Sequence, residues 1–308
     1  MKCDYACGSN QHNVNRRMFL GTVAGTGLSV LANPLSAKQL ASQQKRVLMV
    51  FLAGGVSQLE TWDPKPGTNT GGPFRAIPTS VPGTHISELL PHTAKWMHKL
   101  ALVRGINTKE DDHGKGSYIM HTGRRQEPAT DYPHFGSVCS KLLTSDDNPL
   151  PGYLTVTPSG SGNQNTKDAT FLGPRHGSVN ISDGKAPANL DKPNGISMDQ
   201  EMQRHALRQA ANEKFLSRRR TAMTEAYTQT YDQAKLLMEK KNLFDITAEP
   251  GPLADKYGRH DFGRHCLLAR RLLEGGATFV KVTHTNYDTH HENFDFHIEQ
   301  LGEFDRPF

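Results

Sequence analysis

The sequence predicts an α/β fold with a mostly parallel sheet flanked by helices. Three observations carry this expectation. Short apolar runs recur along the chain, each the length of one strand. Helical patterns separate them, so strand and helix alternate. Three of the runs open into loops rich in acids and histidine, where open parallel sheets carry their sites.

Taken in order, the first run is KRVLMVFLA, residues 45–53, closed by Gly54-Gly55. Its β-branched and apolar content suits a strand buried on both faces. The two glycines allow backbone angles that other residues resist. Ser57, Glu60, Thr61 and Asp63 follow, and Pro64 and Pro66 hold the chain extended. The second run is LALVRGI, residues 100–106, opening into Glu110, Asp111, Asp112, His113, Ser117 and His121. Gly114 and Gly116 loosen the turn, and Ser117 to Met120 reads as a helix start. Phe135 to Leu143 is helical in pattern. Gly152 to Thr157 is the third strand and leads into a flexible-looking SGSGNQNT loop. Residues 199–244 form a long helical region. Met223, Tyr227, Tyr231, Ala234 and Met238 recur there at helical spacing and are expected to pack into the core. Phe262 to Leu273 is a further helix with a leucine stripe and Gly275-Gly276 as its stop. Ala277 to Thr283 is the fourth strand, leading into TNYDTHHENFDFH.

The chain has 308 residues, 35% apolar and 22% charged, which is globular in kind and allows one large domain or two ordinary ones. Its net charge of +5 is mild, and no basic stripe is interleaved with aromatics, so no nucleic-acid partner is expected. Arg218-Arg219-Arg220 reads as a solvated face. Cys3 and Cys7 lack the neighbouring ligands of a zinc motif. Cys139 and Cys266 sit in amphipathic patterns and read as buried free thiols, with a disulfide between them left open by sequence alone.

Residues 1–37 read as an export signal. Arg16-Arg17 is followed by Met-Phe-Leu and by an apolar stretch without charge from Met18 to Leu31. Small residues follow, as a signal peptidase requires. The pair resembles a twin-arginine signal, which implies the twin-arginine translocase as partner and a periplasmic or extracellular destination. The stretch is shorter than the ~20 residues of a membrane span, so no stable span is expected in the mature chain. Residues 45–308 are left as one domain.

Parallel strands end on one edge, so the loops after Ala53, Ile106 and Thr283 are expected to converge there. Asp288 and His290, two apart in an irregular loop, suit a shared divalent metal, with His291 pointing elsewhere. Glu60 or Asp63 would add a further ligand. The metal would be zinc, calcium or manganese. Ser117, at a helix start, is a candidate nucleophile or anion holder, and a plain N-cap is its alternative. His113 and Arg124 would neutralise an anionic substrate. The sequence contains no G-x-S-x-G, Walker, H-E-x-x-H or dinucleotide motif, which excludes those enzyme classes as first readings.

The segments FLAGGVSQLETWDPKPG, HGKGSYIMHTGR, DYPHFGSVCSKL, LPGYLTV, FLGPRHGSV, KYGRHDFGRHCLLARRLLEGGATFVKV, YDTHHENF and LGEFDRPF follow one another in this order. Together they resemble the exported domain-of-unknown-function 1501 family, grouped with the alkaline phosphatase and sulfatase superfamily. The resemblance implies an alkaline-phosphatase-like sandwich and metal-dependent cleavage of phosphate or sulfate esters. It also implies a longer chain: LGEFDRPF reads as a helix cut in mid-pattern, so the domain is expected to be incomplete at its C-terminus. Two further expectations stand beside the hydrolase. One is a non-catalytic exported member that binds an anion, a glycan or a partner. The other is an inactive fragment.

Overall fold

In the computed structural model, residues 45–159, 166–188, 190–191, 194–218 and 222–308 are described. The leader reading over 1–37, Cys3 and Cys7, most of the SGSGNQNT loop, the side chain of Met223 and the Arg218-Arg219-Arg220 face lie outside what is described.

In chain order the strands are β1 (Val47–Leu52), β2 (Ala76–Pro78), β3 (His85–Ser87), β4 (Tyr153–Thr157), β5 (Val179–Ser182) and β6 (Phe279–His284). β2 and β3 pair antiparallel as a small separate ribbon. The others form one parallel sheet in the spatial order β1-β6-β4-β5. The helices are α1 (Pro91–Trp96), α2 (His113–Thr122), α3 (Phe135–Leu143), α4 (Met198–Arg218), α5 (Ala222–Glu239), α6 (Gly251–Tyr257), α7 (Asp261–Glu274) and α8 (Asn293–Phe304). The fold is thus a mixed α/β one with a parallel sheet flanked by helices.

Every residue of β4 and β6 is buried, the polar Thr155, Thr157, Lys281, Thr283 and His284 included. Side chains alternate along a strand. Val280 and Val282 join the main core with Leu154, Val156, Ile181, Leu268, Leu272, Leu301 and Phe304. Phe279 points to the opposite face and packs with Tyr153 and Cys139. Gly136 of α3 lies against the Tyr153 ring, where a Cβ would sit 2.5 Å from a ring carbon. Cys139 and Cys266 are buried free thiols, and burial pushes them up to about 11 and about 12.

Three expectations need correction. Residues 100–106 form no strand: Val103 and Ile106 are exposed, and Gly105 at φ 75° turns the run out of extended conformation. Ser117 does not start a helix, because Asp112 caps α2 and His113 is its first residue. The stripe along α5 is not core: Tyr227 and Ala234 are exposed, and the buried side chains are Gln233 and Leu237. The helix there is rotated because its inner face meets polar partners, with Gln233 donating to the Arg175 carbonyl at 3.0 Å. β5 and the β2–β3 ribbon were not expected; each is four residues or fewer, too short for a clear period. Among the described residues no helix is long and apolar enough to cross a membrane.

Candidate metal centre

The C-terminal ends of β1 and β6 are laced together. Ala53 N–H donates to the His284 carbonyl at 2.8 Å, and Tyr287 N–H returns to the Ala53 carbonyl at 3.3 Å. Asn286 takes the left-handed conformation (φ 71°), which asparagine tolerates, and turns the chain toward Asp288. Gly54 then comes against this loop at φ 116°. A Cβ there would lie 2.5 Å from Asp288 N and 2.8 Å from Tyr287 C, so only glycine lets the two backbones approach. The Tyr287 ring is fully buried beneath the loop. Its hydroxyl lies 2.9 Å from His284 Nδ1, and His284 Nε2 lies 3.4 Å from the Glu303 carboxylate on α8. Burial holds His284 down at about 4, so it is neutral at pH 7.

The second wall is α2. The Asp112 carboxylate accepts from Lys115 N–H at 2.9 Å and fixes the first turn. Gly123, left-handed, closes the last. His113 therefore projects from the helix start toward the β6 loop. Its Nε2 lies 3.1 Å from Asp288 Oδ2, and His290 Nε2 lies 3.0 Å from Asp288 Oδ1. One ligand atom from each of His113, Asp288 and His290 falls within 4.8 Å of the other two, the only such group among the described residues. The three side chains are 63%, 48% and 75% exposed, so solvent and a large solute both reach them. Two imidazoles and one carboxylate are a donor set that divalent transition ions accept. An ion between them would replace the imidazole–carboxylate contacts with bonds to itself.

The expected site residues divide sharply. Asp288 and His290 come together as anticipated, and His291 lies outside the group. His113 joins them as a third ligand candidate. Glu60 does not: it is buried beside Gly72, and its Oε2 has no partner among the described residues. Asp63 is taken by Lys65 at 2.5 Å and Arg104 at 3.4 Å. Arg124 follows Gly123 at the far end of α2, about 15 Å from His113 at 1.5 Å per residue, and its guanidinium lies over the Tyr132 ring at 5.1 Å.

Ser117 is half-buried in mid-helix. Its Oγ lies 3.3 Å from His121 Nδ1, but that nitrogen is only 2.8 Å from the Ser117 carbonyl. A carbonyl can only accept, so Nδ1 carries the proton and His121 offers Ser117 no base. His297, on α8, is structural: Nδ1 donates to the Asn293 carbonyl at 2.8 Å and Nε2 accepts from Ser57 N–H at 3.2 Å.

A second cluster was not anticipated. Lys281 points from β6 onto the face that α3 packs against, where His121 of α2 reaches it. It is 2% exposed, with Nζ 3.2 Å from His121 Nε2. The His121 ring stacks on His134 at 4.9 Å and tilts against Phe51 at 4.5 Å. Burial, and then the Lys281 charge, hold both histidines down at about 4. Burial likewise lowers Lys281 to about 8, opposed by Asp168. The available signal was Lys281 itself, the lone charge in the apolar run ATFVKVT.

No curated protein and no solved structure matches this chain. A family model described as "Protein of unknown function (DUF1501)" matches residues 44–308. With its sheet, its C-terminal loops and nearly all of its described length inside that match, the chain belongs to the DUF1501 family.

Proposed function

We propose that this protein is an exported, metal-dependent hydrolase of phosphate or sulfate esters with an alkaline-phosphatase-like scaffold. The observation that supports this best is the His113–Asp288–His290 group at the C-terminal edge of a parallel sheet. Asp288 turns one oxygen to each imidazole and so orients both rings. Imidazole suits zinc better than manganese or calcium, which prefer oxygen, so zinc is the first choice among the metals expected from sequence. A divalent ion held there supplies positive charge to an ester oxygen and acidifies bound water. Three protein ligands leave open positions for an anionic ester or a glycan-linked one. The exposure of all three side chains fits extracellular substrates too large for a closed pocket. Export by the twin-arginine route rests on Arg16-Arg17 and the apolar stretch after them.

A second reading, a non-catalytic binder of anions or glycans, draws on the placement of Ser117, Glu60 and Asp63 away from the group. Turnover separates the two. Purified protein loaded with zinc or manganese is assayed on aryl phosphate and aryl sulfate esters, beside the His290→Ala variant. Metal-dependent turnover lost in the variant supports the hydrolase. Metal binding without turnover, or neither metal nor turnover, supports the binder.

A further inference from the structure

α2 is an unusual helix for one that supplies a ligand. His121 is its single buried side chain, while Met120 is exposed and no apolar stripe faces the sheet. Apart from the Tyr118 hydroxyl, which accepts from Tyr132 N–H at 2.8 Å, its side-chain ties to the core run through His121, which packs on Phe51 and His134 and meets the Lys281 ammonium. His121 Nδ1–H is spent on the Ser117 carbonyl at 2.8 Å, so Nε2 carries the lone pair and accepts from the Lys281 ammonium. Both elements then run outward from this point. β6 reaches Asp288 and His290 within a few residues, and two turns of α2 lead to His113. On the same strand face as Lys281, Thr283 is buried with its hydroxyl unpartnered among the described residues, while Phe279 packs against Tyr153 and Phe135.

We infer that Lys281 is a positioning residue: its contact with His121 pins α2 to β6 and thereby sets His113 against Asp288 and His290. This deepens the metal reading and rests on it. A pin of this kind has a recognisable energetic signature. Taking an ammonium out of water is costly, so a buried one holds geometry at the expense of stability. Lys281→Met keeps the stem, removes the charge and is expected to fold, with a melting temperature equal to or above that of the parent.

The test is a double-mutant cycle on zinc affinity with the full chain. Lys281→Met alone is expected to weaken zinc binding about ten-fold and by no more than loss of His113 does, because it acts only through the placement of that ligand. His113→Ala alone is expected to cost a similar factor. The double variant is expected to be no worse than His113→Ala, because both changes remove the same ligand. Additive losses, or Lys281→Met binding as tightly as the parent, would overturn the inference. A second arm needs no metal. Amide exchange across residues 116–122 in the metal-free protein is expected to speed up in Lys281→Met while β4 and α7 stay protected. Unchanged exchange in α2 would overturn the inference, even if the parent binds no zinc and the metal reading has failed by itself.

Discussion

The two ends of α2 place histidines in opposite worlds. His113 stands in solvent beside a carboxylate. His121, two turns on, is 5% exposed and faces a buried lysine. The same side chain serves two purposes because burial decides which protonation state it keeps and what can reach it. The exposed end is open to solvent and to solutes. The buried end is closed to them and holds geometry. β6 and the loop after it repeat the contrast, with Lys281 buried in the strand and Asp288 exposed in the loop.

The comparison can be broken at its outer end first. Asp288→Ala removes the group that faces both imidazoles, and zinc affinity is expected to fall more than a hundred-fold by competition titration. His113→Ala and His290→Ala are each expected to fall less, since two ligands survive. Next comes the backbone between the ends. Gly54→Ala would force a Cβ onto Asp288 N and Tyr287 C at a φ that L residues avoid. A cost of about 1–3 kcal/mol is expected in urea unfolding, together with weakened zinc binding as the loop shifts.

The inner end is sharpened by pH. His121, His134 and His284 titrate near 4 when folded, against 6.5 for the free side chain. The unfolded chain therefore binds more protons between these values, and stability must fall as pH drops from 6.5 toward 4. Lys281 has the same sign at higher pH: its cost is present at pH 7 and is relieved as pH rises from about 8 toward 10.5. Chemical denaturation across pH 4 to 10 should show both slopes, and Lys281→Met should lose the upper one. The smallest effect is expected at Ser117. With no base beside it, Ser117→Ala should leave zinc affinity and any ester turnover within about two-fold of the parent, as surface-like substitutions do.

Much of this was legible in the residues. β1, β4, β6, α3 and α7 were expected within a residue or two, because buried parallel strands and amphipathic helices leave strong periodic marks. The Asp288–His290 pair was legible because it follows a buried strand. LALVRGI misled because composition suggests a strand while Gly105 and the exposure of its side chains decide otherwise. Glu60 and Asp63 misled because an acid after a strand says nothing about its direction; one turned inward and the other found Lys65 and Arg104. The meeting of His113 with Asp288 was not legible, since it joins segments 175 residues apart along the chain. The helix start at Ser117 was misplaced because Gly114 and Gly116 suggested a turn where Asp112 had already capped the helix.

The central claim is that two distant segments build one ion site. Equilibrium zinc titration of the full chain, followed by metal analysis after gel filtration, tests it most directly. The account predicts one tightly held zinc per chain, lost in both His113→Ala and Asp288→Ala. Zinc retained equally by either variant, or none bound by the parent, would contradict it.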